Sequence, residues 1–186
     1  DRRIWNWVRG TNSFLPNSIR LKWGRVTKES FHARFSAKSR TYSYNISNTA
    51  IESPLSNRQF TWIYHTLNEN KMRDASVHLI GKHDFSAFRS SACQANSPIR
   101  TIKRCLVERD GDNLKVVIEA DGFLHHMVRN IMGCLCEVGK GVENEKWLKK
   151  VLESKNRKNA ARTLPPQGLC LDYVKYGKGF FSENEN

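Results

Sequence analysis

Long apolar runs are missing from this chain. No stretch approaches the ~20 consecutive apolar residues that a helical bilayer span requires, which argues against a membrane partner. The opening DRRIWNW holds no signal-peptide core, and neither end shows a lipidation motif. An initiating Met is absent too, so the natural start is expected upstream of Asp1. Paired cysteines are also lacking: Cys93, Cys105, Cys134, Cys136 and Cys170 are odd in number, irregular in spacing and without a C-x-x-C pair. That pattern speaks against a disulfide framework and for free thiols in a reducing, cytoplasmic compartment. Cys134 and Cys136 lie two apart, which on a helix turns them to different faces, so a zinc site with His125 and His126 is set aside and no metal is expected. The phosphate-loop, dinucleotide and nucleophile-elbow patterns are all missing, and no RNP-type aromatic strand is evident, although Tyr42 and Tyr44 are of the type that stacks on bases.

Acidic residues are scarce. Eighteen Asp and Glu against thirty-one Lys and Arg leave a formal charge of +13. A folded chain this basic most often meets a polyanion, with nucleic acid the leading candidate. The positive residues are dispersed, which points to a broad folded surface and not to a disordered arm.

What is present is enough apolar residue (39%) and aromatic residue (10%) for one sizeable core in 186 residues. The central stretch is DGFLHHMVRNIMGCLCEVGKG, residues 121 to 141. Written as a helix from Leu124, it places Leu124, Met127, Val128, Ile131, Met132, Leu135 and Val138 in one stripe. Arg129 then falls nearly opposite, beside His125, Gly133 and Cys136. A guanidinium among small residues, with two histidines a turn before it and a glycine a turn beyond, suits an anion site. On this stretch alone, a solvated arginine on the outer face of a core helix remains the simpler reading.

Around it, residues 3 to 14 read as the end of an amphipathic helix, and Ser18 to Thr27 as a strand from near alternation of Ile19, Leu21, Trp23 and Val26. Phe31 to Lys38 reads as a loop. Ser39 to Ser47 reads as a strand carrying Arg40, Tyr42, Tyr44 and Ile46 on one face. A connector over 49 to 61 precedes a helix from Leu67 to Ile80, and GKHDFSAFRSSACQANSPIR reads as an ordered loop. Ile99 to Arg109 and Leu114 to Asp121 form a hairpin about Asp110-Gly111-Asp112. Val142 to Ser154 is a second helix, Gly168 to Tyr176 a last strand, and the tail is expected to fray. The sum is an α+β fold, a largely antiparallel sheet with helices packed on one face, and no linker that forces two independent domains.

Four ordered stretches resemble the tRNA pseudouridine synthase A family: NSFLPNSIRL, FHARFSAKSRTYSYNI, GKHDFSAFRSSACQANSPIRTI, and GFLHHMVRNIMGCLCEVGKG with the later GLCL. The resemblance implies two α+β halves flanking a positive cleft, commonly as a homodimer, acting on uridines of the tRNA anticodon arm (positions 38 to 40 of the tRNA). It implies an Asp nucleophile that detaches uracil from its ribose and lets it rejoin through carbon, with no cofactor. Arg129, in HHMVRN, matches the arginine that pairs with that Asp and would hold it ionised and aimed. Tyr42, in RTYSY with Arg40 beside it, matches the tyrosine packed on the target base and able to take part in proton removal. Leu169, opening GLCL, matches a leucine walling the base pocket. Phe85, Phe88 and Arg89 in HDFSAFR, and His125, resemble the lining of the RNA cleft.

One departure stands out. The family's R-T-D-x-G-V-H motif, expected shortly before NSFLP, does not occur here, and none of Asp1, Asp74, Asp84, Asp110, Asp112, Asp121 or Asp172 has its setting. Residues 1 to 30 are therefore expected to end an N-terminal half, 31 to 180 to form the C-terminal half, and 181 to 186 a tail. The nucleophile is expected outside this chain, which by itself should be inert. The rival reading is a non-catalytic RNA-binding protein on the same fold; a weaker one is a DNA-binding α+β module.

Overall fold

In the computed structural model, residues 3–55, 57–177 and 179–180 are described. The expected tail, 181 to 186, lies outside them. The chain divides into two compact units: Asp1–Ala37 with Tyr176–Asn186, and Lys38–Lys175.

The larger unit is organised by alternation. Strand β1 (Ala37–Ser47) pairs antiparallel with β5 (Asn113–Ala120), and β5 pairs antiparallel with β4 (Ile99–Asp110). Asp110 faces Asn113 across the β4–β5 turn, where Gly111 supplies the positive φ of 55° that a two-residue hairpin needs. Residues directly opposite across a ladder share a face. Tyr42, Tyr44 and Ile46 therefore lie with Ile118, Val116 and Leu114, and this face joins the core. A short β2 (Thr61–Trp62) adds to β1 in parallel, β3 (Gly81–Asp84) adds to β4 antiparallel, and β6 (Leu169–Tyr176) also pairs with β1. The sheet is mixed but largely antiparallel, as expected.

Three helices of this unit complete the core. Helix α2 (Glu69–Ser76) is capped by the Asn68 side chain, which accepts from the N–H groups of Asn70 and Lys71. Helix α4 (Glu145–Ser154) is capped likewise by Asn144. Helix α3 (Met127–Gly139) packs against both. It starts three residues later than the apolar spacing suggested, because His126 takes a left-handed backbone (φ 61°) that breaks the helix there. It is also buried nearly all round, with Asn130, Gly133, Cys134 and Cys136 as hidden as the apolar stripe. Two further expectations are corrected. Residues 81 to 84 form an edge strand and not loop, since their backbone finds β4 despite a polar sequence. Ser18 to Thr27 forms no strand.

In the smaller unit, α1 (Ile4–Phe14) is amphipathic but buries only Val8. In the stretch after it, Asn12 accepts from the Leu21 N–H at 2.8 Å and donates to the Leu21 carbonyl at 2.9 Å, and Arg20 donates to the Pro16 carbonyl and to Asn17 Oδ1. Those contacts take the place of a ladder. Farther on, Phe31 meets Tyr176 edge-on at 4.9 Å, and the Tyr176 hydroxyl donates to the Ala33 carbonyl.

Candidate active site

Residues 157 to 164 run as a strap over α3, and this crossing builds the centre of the site. Gly133 makes it possible: a Cβ there would collide with the Arg162 carbonyl. The close approach expected at this glycine is therefore made by the chain's own backbone. Ala161 N–H donates to Cys134 Sγ, and Leu164 N–H donates to the Arg129 carbonyl. In return Arg129 Nε donates to the Leu164 carbonyl at 2.6 Å. Arg129 is thus half-buried and clamped at Nε, not a freely solvated charge. Its two terminal guanidinium nitrogens bond nothing among the described residues, and no carboxylate among them forms an ion pair with it. The aspartates set aside in the sequence are occupied elsewhere: Asp84 accepts from Ser86, Asp121 from the Thr101 N–H, and Asp172 from Ser43.

The strap is fixed at its far end by Tyr44, a residue the sequence reading placed only as a possible stacking aromatic. Its buried hydroxyl donates to the Pro165 carbonyl at 2.6 Å and lies 2.6 Å from Thr61 Oγ1. Burial pushes this phenol up to about 12, against opposing pulls from the Thr61 bond and the Arg129 charge. Just beyond, Asn45 N–H donates to the Gly168 carbonyl and Leu169 N–H to the Pro166 carbonyl, which sets Leu169 half-buried against the core.

The alternation of β1 brings Tyr42 and Arg40 to the same face as Tyr44. Tyr42 is half-buried and packs edge-on to Phe123 at 5.0 Å, and Arg40 Nη1 donates to the Asp121 carbonyl. The segment 121–129 thus passes Arg40, then Tyr42, and ends at Arg129.

The remaining expected residues fall in a neighbouring cluster. His125 is exposed and stacks on His126 at 3.9 Å. Its N–H donates to Cys93 Sγ, and its carbonyl accepts from the Ser90 N–H. Burial lowers the His126 imidazole, with the charges of Arg129 and His125 adding to the effect. Arg89 Nη2 staples its own loop through the Cys93 and Ala95 carbonyls, both at 2.8 Å. Burial by itself would raise the Cys93 thiol, but the His125 and Ala95 N–H groups and Arg89 outweigh it and hold the thiol below its ordinary value. Phe85 and Phe88 are both 0% exposed. They offer no surface for a ligand; they anchor the loop that carries Arg89.

Residues the sequence reading missed complete this cluster. Asn130, buried at 1%, donates to the Phe88 carbonyl and accepts from Thr163 Oγ1 at 2.6 Å and from Arg157 Nη2 at 3.2 Å. A polar residue inside the apolar spacing of α3 was the available signal for Asn130. Arg157 and Thr163 lie in aperiodic sequence and gave none.

Comparison with known proteins follows the same outline. A family model described as tRNA pseudouridine synthase matches residues 75–177. The tRNA pseudouridine synthase A of Herminiimonas arsenicoxydans is 47% identical over 180 residues, covering 95% of this chain and 66% of that protein. The protein of the same name from Burkholderia mallei (strain SAVP1) is 46% identical over 180 residues, covering 97% of this chain and 67% of its own. The chain spans about two thirds of the length of the curated relatives it matches.

Proposed function

This chain belongs to the tRNA pseudouridine synthase family, and on that premise we propose that it supplies the base-holding and charge-pairing side of a site that isomerises uridine to pseudouridine in the tRNA anticodon arm. The observation that carries the reading is the state of Arg129. Its Nε is committed to the Leu164 carbonyl, which tethers the guanidinium and leaves its two terminal nitrogens without a partner among the described residues. A guanidinium held that way takes a carboxylate in a two-bond pair and keeps it ionised at neutral pH. The carboxylate is an Asp supplied from outside this chain. It attacks ribose C1′ as the bond from uracil N1 breaks; the base turns, its C5 attacks C1′ and displaces the carboxylate, and the C5 proton leaves while N1 takes one up.

Tyr42 packs on the departing base and assists that proton loss, and Leu169 walls the pocket. Arg40, Arg89 and His125 contact the RNA, while Phe85 and Phe88 support the loop from below. Residues 1 to 30 belong to an N-terminal half and 31 to 180 to the C-terminal half, working as a homodimer in the cytoplasm. Among the described residues no helix is long and apolar enough to cross a membrane.

The test is pseudouridine formation on a tRNA anticodon arm. The 186-residue chain alone should give none. Joined to the N-terminal third of a curated relative, it should turn over, and Arg129→Ala in that protein should slow the reaction about 10²–10³-fold, the range for removing one positioned electrostatic group. Turnover by the isolated chain, or full activity without Arg129, would refute the assignment. RNA binding with no turnover in either form would favour the non-catalytic binder.

A further inference from the structure

A polar cleft of ≈ 540 Å³ opens where the loop after β3, the start of α3 and the strap meet. Its lining contains Arg89, Ser90, Ser91, His126, Asn130 and Arg157, with no carboxylate and no large apolar side chain. Two guanidinium groups in one cleft repel each other, and here each is held in place by neutral acceptors. Arg89 is tied to the Cys93 and Ala95 carbonyls; Arg157 is tied to Asn130 Oδ1, Thr163 Oγ1 and the Ala160 carbonyl. Arg89 Nε and Nη1, Arg157 Nε and the hydroxyls of Ser90 and Ser91 have no hydrogen-bond partner among the described residues. The result is a rigid, positive cleft with donors to spare. A tetrahedral oxyanion satisfies fixed guanidinium and hydroxyl donors together.

The cleft also adjoins the proposed catalytic arginine. Asn130 follows Arg129 on α3, and Thr163 precedes Leu164, the acceptor of the Arg129 clamp. Its volume suits a nucleotide-sized piece of chain better than a lone ion.

We propose that this cleft is a second anchoring site for RNA, seating one backbone phosphate of the molecule whose uridine reaches Arg129. The inference rests on the RNA-modifying reading above and adds a phosphate seat to it. Arg157 and Asn130 frame the seat, Arg89 supplies the charge, and Ser90 and Ser91 supply the hydroxyl donors at the rim.

The experiment is binding of an anticodon stem-loop RNA to the 186-residue chain, followed by fluorescence anisotropy across a salt series. Ser91→Asp places a carboxylate at an exposed rim position where folding is not at stake. Lys115→Gln removes the same unit of charge from the opposite face of the sheet and serves as control. Ser91→Asp should weaken binding about three- to tenfold at low salt and flatten the salt slope by about 0.7–0.9, the value of one phosphate contact. Lys115→Gln should change affinity less than about twofold. Stem-loops carrying one neutral methylphosphonate in turn should reveal a single linkage that matters in the wild type and no longer matters in Ser91→Asp. If both variants behave alike, or no linkage behaves so, the phosphate seat is refuted while the RNA reading stands. If inorganic phosphate alone perturbs the Ser91 amide in NMR spectra while the RNA salt slope is unchanged by Ser91→Asp, the cleft is a free-anion site and the RNA assignment fails. If the wild type binds no stem-loop, the parent reading falls and this one with it.

Discussion

Two stretches of this chain carry apolar residues at periodic spacing, and they met different ends. Residues 127–139 became a helix buried nearly all round. Residues 18–27 formed no strand beyond an isolated bridge at Thr27, leaving Ile19, Leu21, Trp23 and Val26 between 43% and 72% exposed. Side-chain spacing does not explain the difference, because each has enough of it to bury a face, at helical period in the first and by near alternation in the second. The difference is in partners. Helix α3 packs into the core with the sheet, has α2 and α4 beside it, and has a strap above tied to it by hydrogen bonds at Arg129 and Cys134. The extended stretch has the Asn12 side chain, the bonds of Arg20 to the turn before it and a glycine against α1, but no covering layer on its apolar residues. Burying one large apolar side chain is worth about 1.5–3 kcal/mol, but only when another surface is there to receive it. Periodicity states what a segment can bury; it does not supply the receiving surface.

The most direct way to break this comparison is Gly133→Ala. By helix propensity alone the change should stabilise α3 by about 1 kcal/mol. The added Cβ would instead meet the Arg162 carbonyl, which is backbone and cannot swing aside. The strap must lift, with loss of the bonds at Leu164 and Ala161, and we expect a net loss of about 3 kcal/mol, the upper part of the overpacking range. A urea series would measure it. A more stable variant would show that the strap is not what separates α3 from the extended stretch.

How much could be read in advance follows the same division. The hairpin at Gly111, the strand carrying Tyr42 and the second helix were legible because turn chemistry and period are local. The edge strand at 81–84 was not, since its polar GKHD gains its state from β4. The left-handed break at His126 was hidden for a similar reason. Such a backbone costs on the order of 1–3 kcal/mol in a non-glycine residue and persists only when its surroundings impose it. At the candidate site, Arg129 and Tyr42 were expected from family motifs, but the burial of Phe85 and Phe88 was not, because aromatic residues in a polar loop look alike whether they face in or out. Arg157, Thr163 and the Tyr44 clamp depend on contacts between residues tens of positions apart.

Tyr44→Phe sharpens the comparison at the other end of the strap. It deletes one hydroxyl and leaves the Pro165 carbonyl without its donor. The expected cost is about 1–2 kcal/mol, as for an orphaned buried acceptor. The pH dependence carries a second signature. The phenol sits at about 12 in the folded chain against an ordinary value of about 10, so the folded state holds its proton where the unfolded state has released it. The stability due to this group is complete below pH ~10 and is lost as pH rises toward ~12. Tyr44→Phe should therefore be less stable at neutral pH yet show a shallower alkaline decline. Equal slopes for the two proteins would mean that the hydroxyl is not held as described.

The smallest effect belongs to the extended stretch. Trp23 is 72% exposed, so Trp23→Ser removes a large ring that buries little. Substitutions of that kind usually shift stability by no more than about 0.5 kcal/mol. A tryptophan in a paired, covered strand would behave differently, since truncating a buried one costs about 3–5 kcal/mol. The two outcomes are far enough apart for a urea midpoint, followed by far-UV circular dichroism, to decide between them. A loss near the larger figure would mean that residues 18–27 have a receiving surface after all, and that the contrast with α3 is one of degree. A loss within the smaller figure would leave periodic apolar residues without a structural role inside this chain, which is what spacing alone could never have revealed.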